Sequence, residues 1–318
     1  MQEILDFAAI RAAAGRIAAH IRRTPVLRCP RLDAETGAEV FFKCENFQEM
    51  GAFKLRGASN AVQSLPAGVL GRGVATHSSG NHGAALALAA RRRGIPACVV
   101  MPENASAFKR RAVEEYGARI IYCEPTQAGR EAALQRFVTE SGATVVHPYN
   151  DTAVMAGQGT AALELHEEVP DLDLVMAPLG GGGLLSGTAV ATRSLRPAAK
   201  VFGAEPMGAD DAWRSLQAGH IVPVAHPDTV ADGLRATIGS LTFEVIRSEV
   251  DGVLRVEDAD TVAAMRYVWE HVKIIIEPSA AVPVAALRKA LVEVRGKRVG
   301  IILSGGNLDL DHLPWSVK

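Results

Sequence analysis

Hydrophobic and polar positions follow two patterns along this chain, and both indicate an α/β protein. Short apolar runs typical of buried strands alternate with stretches in which apolar residues recur every three or four positions, as on one face of a helix. Between positions 73 and 147 this alternation predicts strands over 73–76, 97–101, 119–123 and 144–147, with helices over 83–93, 107–116 and 129–141. A second series follows, with strands near Leu174, Val201, Val253 and Val299. Strands that alternate with helices are typical of parallel sheets.

The two series predict two lobes. We expect a small α/β domain over 73–148, inserted into a larger domain formed by 1–72 and 149–318. Residues 1–22 are predicted to form an amphipathic helix, which Thr24-Pro25 ends because the residue before a proline avoids helical angles. In open α/β sheets, ligands bind at the carboxyl ends of the strands. We therefore expect the functional site in the cleft between the lobes.

Composition and charge argue against several classes of partner. The 318 residues carry a net charge of −1, so no basic field favours nucleic acid or an anionic membrane surface. No apolar run reaches the ~18 residues that cross a bilayer, and the N-terminal stretch lacks the cleavage-site pattern of a signal peptide. Four scattered cysteines predict reduced thiols. These features predict a soluble cytoplasmic protein that acts on a small molecule.

Lys54 is the residue around which the candidate chemistry gathers. It follows a strand-like run over 40–42 and precedes a helical pattern over 55–65, which puts it near the first turn of a helix. The partial positive charge of a helix N-terminus and the apolar neighbour Phe53 disfavour a charged amine and lower its pKa. A lysine of lowered pKa is a candidate nucleophile. Taken alone, an ordinary solvent-exposed lysine is the alternative.

Three later stretches each follow an apolar strand-like run. They are Thr76-His-Ser-Ser-Gly-Asn-His-Gly83, Gly180-Gly-Gly-Gly-Leu-Leu-Ser-Gly187 and Ser304-Gly-Gly-Asn307. Four consecutive glycines let backbone N–H groups approach an anion, and the helix predicted from Leu184 adds its positive end. The run fits neither G-x-G-x-x-G nor G-x-x-x-x-G-K-[ST], which argues against a dinucleotide or a nucleoside triphosphate. A merely flexible glycine turn is the alternative.

Together the lysine motif and these stretches resemble, in order and spacing, the fold-type II pyridoxal-phosphate enzymes. Within them, the chain is similar to the group of serine racemases, serine/threonine dehydratases and 3-hydroxyaspartate ammonia-lyases, from Arg23 to Trp315. The resemblance implies a two-lobed α/β fold of the tryptophan synthase β type, with parallel-rich sheets, flanking helices and the site in the interdomain cleft. It also implies pyridoxal 5'-phosphate as cofactor, an amino-acid substrate and a homodimer.

The resemblance also implies the cofactor contacts. Lys54 would form the Schiff base with pyridoxal phosphate and, once displaced, act as base on the substrate Cα proton. Phe53 would stack on the pyridine ring, although core packing also explains it, and Asn81 would hydrogen-bond the ring hydroxyl. Ser304 would face the pyridine nitrogen, where a hydroxyl favours loss of a β leaving group; a serine that simply ends a strand is the alternative. The phosphate would lie on Gly180, Gly181, Gly182, Gly183 and Leu184.

For the substrate, the resemblance implies contacts with the loop formed by Ser78, Ser79, Gly80, Asn81 and His82. Ser79 would lie opposite the lysine and exchange a proton there, as a second catalytic residue; a helix-capping hydroxyl is the alternative. For His82 the alternative is a structural histidine. Arg130 aligns with an arginine near the substrate side chain, and its fork matches the second carboxylate of 3-hydroxyaspartate; a surface arginine is the alternative. Tyr149 stands where the racemase group often has Asn after His-Pro.

Glu205, Ala209 and Asp211 match, through the same resemblance, a divalent-cation site of the racemase branch. Two carboxylates and the Ala209 carbonyl are oxygen ligands of the kind that Mg²⁺ or Ca²⁺ takes, with waters in the remaining positions. Mg²⁺ is the expected ion, with Ca²⁺ or Mn²⁺ as alternatives, in a structural or activating role. From spacing alone, the acidic stretch is also explained as a solvated turn.

These assignments predict a pyridoxal-phosphate dependent ammonia-lyase. It would convert 3-hydroxyaspartate, L-serine or L-threonine to oxaloacetate, pyruvate or 2-oxobutanoate with release of ammonia, and racemisation would be a side activity. One alternative is an amino-acid racemase acting on serine or aspartate, and another is a β-replacement synthase of the cysteine-synthase type. A non-catalytic small-molecule carrier is disfavoured because Lys54, Asn81 and Ser304 are all present.

Overall fold

The computed structural model describes residues 4–78, 80–105 and 107–315. Within these ranges the strands are β1 Val26–Arg28, β2 Glu39–Cys44, β3 Val74–His77, β4 Ala97–Pro102, β5 Arg119–Cys123, β6 Thr144–Val145, β7 Leu174–Pro178, β8 Lys200–Pro206, β9 Gly252–Val256 and β10 Arg298–Leu303. The α-helices are α1 Phe7–Ile17, α2 Pro30–Thr36, α3 Lys54–Gln63, α4 Asn81–Arg93, α5 Ala107–Glu115, α6 Gln127–Ser141, α7 Thr152–Glu168, α8 Gly183–Leu195, α9 Asp211–Ala218, α10 Ser240–Glu249, α11 Asp258–His271 and α12 Pro278–Arg288.

The strands form two sheets. The six-stranded sheet has the order β1-β2-β10-β7-β8-β9, and the four-stranded sheet has the order β5-β4-β3-β6. Neighbouring strands run parallel except β1 and β2, which are antiparallel. The predicted α/β class with parallel-rich sheets is therefore confirmed.

The central strands of the larger sheet are buried on both faces, which explains their continuous apolar sequence. Every residue of β7 is buried. Met176 and Ile301 belong to the core on one face, together with residues of α11 and α12. Their chain neighbours Ala177 and Ile302 belong to the core on the other face, together with residues of α7 and α8. The six-stranded sheet is thus covered by helices on both sides.

The four-stranded sheet takes its strands from Val74 to Val145, a range that lies inside the predicted small lobe. The six-stranded sheet takes strands from before and after that range. The division into two domains at 73 and 148 stays a prediction.

All four cysteines are free and buried. In the part of the chain that is described, no helix is both long and apolar enough to cross a bilayer.

Two predicted elements have the wrong extent. The N-terminal helix begins at Phe7, where the Asp6 carboxylate accepts a hydrogen bond from Ala9 N at 2.7 Å, and it ends at Ile17. Ile21 lies beyond the end of this helix, but its side chain packs against the core. The apolar repeat of the sequence therefore continues past the last helical residue. Residues 1–3 of the predicted helix lie outside the described residues. The strand expected over 144–147 is limited to Thr144–Val145, since only these residues pair with β3 in register.

The strand ends bring the candidate stretches together. β2 leads to Lys54, β3 to the loop over 78–82, β7 to the glycines over 180–183, and β10 to Ser304. An antiparallel bridge between Ala52 and Gly305 and a hydrogen bond from Phe53 N to Ser304 O at 2.9 Å tie the lysine segment to the end of β10. The carboxyl ends of parallel strands therefore form the candidate site, as expected for an α/β sheet.

Candidate active site

Lys54 begins α3 and directs its amine toward the loop that follows β6. Its Nζ donates a hydrogen bond to the Pro148 carbonyl at 2.8 Å and lies 5.1 Å from the centroid of the Phe53 ring. Burial lowers the pKa of Lys54 to about 8, while the Glu277 carboxyl acts in the opposite direction. About a tenth of such an amine is unprotonated at pH 7. Lys54 can therefore act as a nucleophile or a base near neutral pH.

A buried ion cluster anchors the first turn of α3. Arg56 is fully buried and donates to both oxygens of Glu45, at 2.7 and 2.8 Å, and to both oxygens of Glu164, at 2.7 and 2.8 Å. Lys43 forms a further ion pair with Glu164 at 2.7 Å, and Thr24 donates to Glu45 at 2.6 Å. Bidentate arginine–carboxylate pairs fix orientation as well as distance. The cluster therefore positions the helix that carries Lys54.

The glycines after β7 form a cradle of backbone N–H groups. Within the described ranges, no backbone or side-chain group accepts a hydrogen bond from the N–H groups of Gly180, Gly181 or Gly182. Helix α8 starts at Gly183, one residue earlier than predicted, and its first N–H groups have no partner within the helix. Free N–H groups at a helix N-terminus bind phosphate well.

The cradle has no room for side chains. A Cβ at Gly181 would lie 2.3 Å from the Tyr149 ring, and a Cβ at Gly180 would lie 2.9 Å from Leu234 Cα. Gly182 has a φ of 94°, in the left-handed region that favours glycine. Thr242 Oγ1 donates to Gly181 O at 2.7 Å, so this carbonyl has its own partner. These close contacts favour a packed cradle over a flexible glycine turn, and backbone N–H donors at a helix N-terminus suit a phosphate.

An amide and carboxyl network lies at the end of β10, where Ser304 is buried. Asn81, the first residue of α4, donates through Nδ2 to the two Glu277 oxygens at 3.0 and 3.2 Å. Its Oδ1 accepts a hydrogen bond from Asn307 Nδ2 at 2.9 Å, and the same Nδ2 donates to Met50 O at 2.7 Å. The network brings the polar loop and the Ser-Gly-Gly-Asn stretch together beside the lysine segment.

Glu277 is a site residue that the sequence reasoning missed. It is buried, and burial raises its pKa to about 8, with a further increase from Asp232. The hydrogen bond from Asn81 and the charge of Lys109 act in the opposite direction. Glu277 is the N-cap of α12 and precedes Pro278. An acidic residue before a proline at the start of an apolar helix was the available signal.

The loop after β3 is held by its own hydrogen bonds. Ser78 N donates to Val100 O at 3.0 Å, and Gly80 N donates to Ser78 Oγ at 3.2 Å. His82 is buried, with Nε2 3.2 Å from the Val146 carbonyl oxygen, and burial holds its pKa well below the usual value. These features favour the structural interpretation of His82. Ser79 lies outside the described residues, so both interpretations of it stay predictions.

The charge of Arg130 acts on two aromatic side chains, His77 and Tyr149. Arg130 is partly buried on α6, and its Nε donates to Thr126 O at 3.3 Å. Burial lowers the pKa of His77, and the positive charge of Arg130 lowers it further. The same charge acts on Tyr149, whose pKa burial raises to about 12. The charge of Arg130 therefore acts on one residue at the end of β3 and on one in the loop after β6.

Glu205 and Asp211 form a buried acidic site after β8. Glu205 accepts a hydrogen bond from Trp213 N, and Asp211 accepts one from Ile238 N, both at 2.7 Å. Burial raises the pKa of Glu205 to about 9 and that of Asp211 to about 6. Within the described residues neither carboxylate has an ion-pair partner within 4.0 Å, whereas Asp210 pairs with both Arg214 and Arg255.

This acidic site suits a divalent cation that leaves room for water. The 3-10 turn Met207–Ala209 lies between the two carboxylates in the sequence, and Ala209 is its buried residue. No group of three or more His, Cys, Asp or Glu side chains suited to a metal is found in the described ranges. An ion here would therefore take two carboxylates, a carbonyl and waters, as Mg²⁺ and Ca²⁺ accept.

The chain is similar to known proteins over nearly its whole length. The pyridoxal-phosphate dependent enzyme family matches residues 17–305. A β-hydroxyaspartate dehydratase from Paracoccus denitrificans (strain Pd 1222) is 50% identical over 305 residues, which cover 96% of this chain and 97% of that protein. A serine racemase from Dictyostelium discoideum is 47% identical over 308 residues, covering 96% and 95%. The solved structure of maize serine racemase superposes with a TM-score of 0.95 at 45% identity, covering 97% and 95%.

Proposed function

Because this chain belongs to the family of pyridoxal-phosphate dependent enzymes, we propose that it is an ammonia-lyase acting on a β-hydroxy amino acid, with 3-hydroxyaspartate as the favoured substrate. The reaction removes water from the substrate and then hydrolyses the resulting enamine, which gives oxaloacetate and ammonia. The observation that carries the proposal is the buried Lys54, whose pKa is about 8 and whose amine donates to the Pro148 carbonyl, directly before Tyr149. The charge of Arg130 acts on that tyrosine. L-Serine and L-threonine remain candidate substrates.

Lys54 has two tasks in this proposal. It binds the cofactor through Nζ, and the same atom later takes the proton from the substrate Cα. Pyridoxal phosphate, when bound, supplies the electron sink for the negative charge that develops at Cα. A pKa of about 8 keeps Nζ basic enough to accept that proton and low enough to be partly neutral beforehand. The Arg56 cluster holds α3, and so fixes the direction from which Nζ reaches Cα.

The remaining cofactor contacts follow from the geometry of the cleft. The backbone N–H groups of Gly180–Gly183 and the start of α8, including Leu184, would hold the phosphate. Phe53, whose ring lies beside Lys54 Nζ, would stack on the pyridine ring. Asn81 would bond the ring hydroxyl. The buried Ser304 would place a neutral hydroxyl at the ring nitrogen.

The substrate has two carboxylates to place. The α-carboxylate would bind at the N-terminus of α4, to the loop of Ser78, Gly80, Asn81 and His82, with Ser79 as a further contact. The second carboxylate would pair with Arg130, because a guanidinium fork matches a carboxylate in charge and shape. Serine and threonine lack this second carboxylate, so they would leave the Arg130 charge without a ligand.

Amino-acid racemisation is the second candidate activity. It is favoured by the similarity to serine racemases over nearly the whole chain. A racemase needs a second acid–base group on the face opposite Lys54, and Ser79 is our candidate for that role. A β-replacement synthase is less favoured, because the Glu205 and Asp211 pair is a feature of the racemase branch.

We further propose a divalent cation, Mg²⁺ first and Ca²⁺ or Mn²⁺ as alternatives, on Glu205, Asp211 and the Ala209 carbonyl. Two buried carboxylates without an ion-pair partner among the described residues favour such an ion. The cation would stabilise the β8–α9 region. We also propose a cytoplasmic homodimer, on the basis of the resemblance described above.

One experiment distinguishes these candidates. The purified enzyme is given L-serine, L-threonine and the 3-hydroxyaspartate isomers, and release of keto acid is followed with and without Mg²⁺. We expect one hydroxyaspartate isomer to have the highest kcat/KM. Preference for serine or threonine would remove Arg130 from the substrate site. Inversion of stereochemistry without keto-acid release would support the racemase, and sulfide-dependent product formation from O-acetylserine would support the replacement synthase.

A further inference from the structure

Tyr149 closes one wall of the candidate cleft. Its ring lies against the glycine cradle, where a Cβ at Gly181 would come within 2.3 Å of it. The ring meets His147 edge to face, with centroids 4.6 Å apart, and His147 meets His77 in the same way at 5.8 Å. An aromatic wall of Tyr149, His147 and His77 therefore runs from the cradle to the end of β3.

Hydrogen bonds fix the His147 ring of this aromatic wall and the loop that carries Tyr149. Nδ1 of His147 accepts from Asn150 N at 2.9 Å and from Tyr149 N at 3.4 Å. The Asn150 side chain accepts from Leu241 N at 2.8 Å and donates to Ser240 Oγ at 3.2 Å. The loop that carries Tyr149 is thus tied to the start of α10. A side chain held in this way loses little conformational freedom when it binds a ligand.

The hydroxyl of Tyr149 has hydrogen-bonding capacity left over. No hydrogen bond joins it to any residue that the structure describes, and the residue is only partly buried. The positive charge of Arg130 and the negative charges of Asp211 and Glu131 all act on it. Burial raises the pKa of Tyr149 to about 12, so the phenol keeps its proton and is a donor at neutral pH.

The histidines of the wall add no positive charge. Burial lowers the pKa of His147 to about 4 and also lowers that of His77, so both rings are neutral near pH 7. Among the described residues whose charges act on Tyr149, Arg130 is the cation, and Asp211 and Glu131 are anions. To an anionic ligand, Arg130 offers a guanidinium and Tyr149 offers a phenol donor. A carboxylate, with two acceptor oxygens and one negative charge, is the group that matches both.

We propose that Tyr149 is a specificity-determining residue, whose hydroxyl donates a hydrogen bond to the side-chain carboxylate of a 3-hydroxyaspartate-type substrate while Arg130 pairs with the same carboxylate. This inference rests on the proposed function and adds a second contact to it. Serine and threonine carry no such carboxylate and leave both groups unmatched. A site built around a polar group of one substrate strongly disfavours the analogue that lacks it.

The test uses Tyr149→Phe in the cofactor-loaded enzyme, because phenylalanine keeps the ring against the cradle and removes only the hydroxyl. We expect the ratio of kcat/KM for 3-hydroxyaspartate to kcat/KM for serine to fall about tenfold, as loss of a hydrogen bond to a charged group implies. Tyr122→Phe is the matched control. It makes the same chemical change on β5, where the Tyr122 side chain is 47% exposed, and should leave the ratio unchanged.

Two binding measurements separate this inference from the proposed function. Succinate and butyrate, which share a four-carbon chain and differ by one carboxylate, are titrated calorimetrically into wild type and Tyr149→Phe. We expect wild type to prefer succinate and the variant to lose about tenfold of that preference. This result supports the carboxylate contact even if wild type releases no keto acid, an outcome that would overturn only the proposed function.

The inference is overturned by either of two results. The first is an unchanged substrate ratio and an unchanged preference for succinate in Tyr149→Phe. The second is a lower affinity for pyridoxal phosphate with an equal loss of kcat/KM on both substrates, because the hydroxyl would then serve the cofactor phosphate on the neighbouring cradle.

Discussion

Replacing Arg56 with methionine tests how firmly the buried ion cluster holds the lysine helix. Methionine fills most of the space with a flexible apolar chain, so the change removes charge and hydrogen bonds more than volume. The two carboxylates that remain have different partners. Glu164 keeps its ion pair with Lys43 at 2.7 Å. Glu45 is fully buried and keeps, among the described residues, only the hydrogen bond from Thr24 at 2.6 Å.

The expected cost follows from the carboxylate left without a cation. Removing one partner of a buried ion pair costs about 3–5 kcal/mol. Since Glu164 retains Lys43, we expect the lower end of that range, about 3 kcal/mol of the free energy of unfolding.

The assay is urea unfolding of cofactor-free wild type and Arg56→Met at pH 7.5, followed by tryptophan fluorescence. Arg266→Met is the matched control, because Arg266 is 61% exposed in its ion pair with Glu270 and such pairs contribute less than about 1 kcal/mol. The double variant Arg56→Met/Glu45→Gln should recover part of the loss by removing the buried charge. Equal stability of Arg56→Met and wild type, or no recovery in the double variant, would refute the reasoning.

Three further predictions concern the site itself. Lys54→Met should fold but retain no pyridoxal phosphate after gel filtration. In the folded protein the pKa of Lys54 is about 8, below its usual 10.5. The free energy of unfolding of cofactor-free wild type should therefore rise between pH 8 and pH 10.5, and this rise should be absent in the variant. Gly181→Ala should weaken cofactor binding at least about tenfold in a fluorescence titration, since its Cβ would lie 2.3 Å from the Tyr149 ring; equal affinity would contradict the cradle. In wild type, chelation should lower the melting temperature and added Mg²⁺ should restore it, whereas the melting temperature of Glu205→Gln should respond to neither. An unchanged melting temperature of wild type in both treatments would argue against the cation.

Lys54 and the glycine cradle were predictable because their signals are local. An apolar run, a glycine repeat and the start of a helical period lie next to one another in the sequence. The contacts of Glu277 and Asn307 with Asn81 were not predictable in this way, because they span 196 and 226 positions. Their meeting depends on β10 lying beside β2 and on α4 facing the end of that pair, which no local pattern specifies. The end of α1 was missed because Ile21 continues the apolar period outside a helix.

Glu277 connects the network around Asn81 with an ion pair between Lys109 and Asp232. Lys109 of α5 and Asp232 of the large-sheet region form an ion pair, and both charges act on the Glu277 carboxyl, with Lys109 lowering and Asp232 raising its pKa. Burial dominates, so the folded pKa of about 8 lies above the usual 4.5. The cofactor-free protein should then lose stability as the pH rises from about 4.5 to about 8, because the folded state must give up a proton that it holds more tightly than the unfolded chain does.

Glu277→Gln removes this titration while keeping an amide oxygen for the Asn81 hydrogen bond. At pH 8 the variant should be more stable than wild type by about 1 kcal/mol or more, and the difference should vanish near pH 5. The same change removes the negative charge that raises the pKa of Lys54, so the amine should titrate at a lower pH when its reaction with a carbonyl reagent is followed. Unfolding curves with the same pH slope in both proteins would mean that Glu277 is ionised in the folded state, with Lys109 outweighing burial.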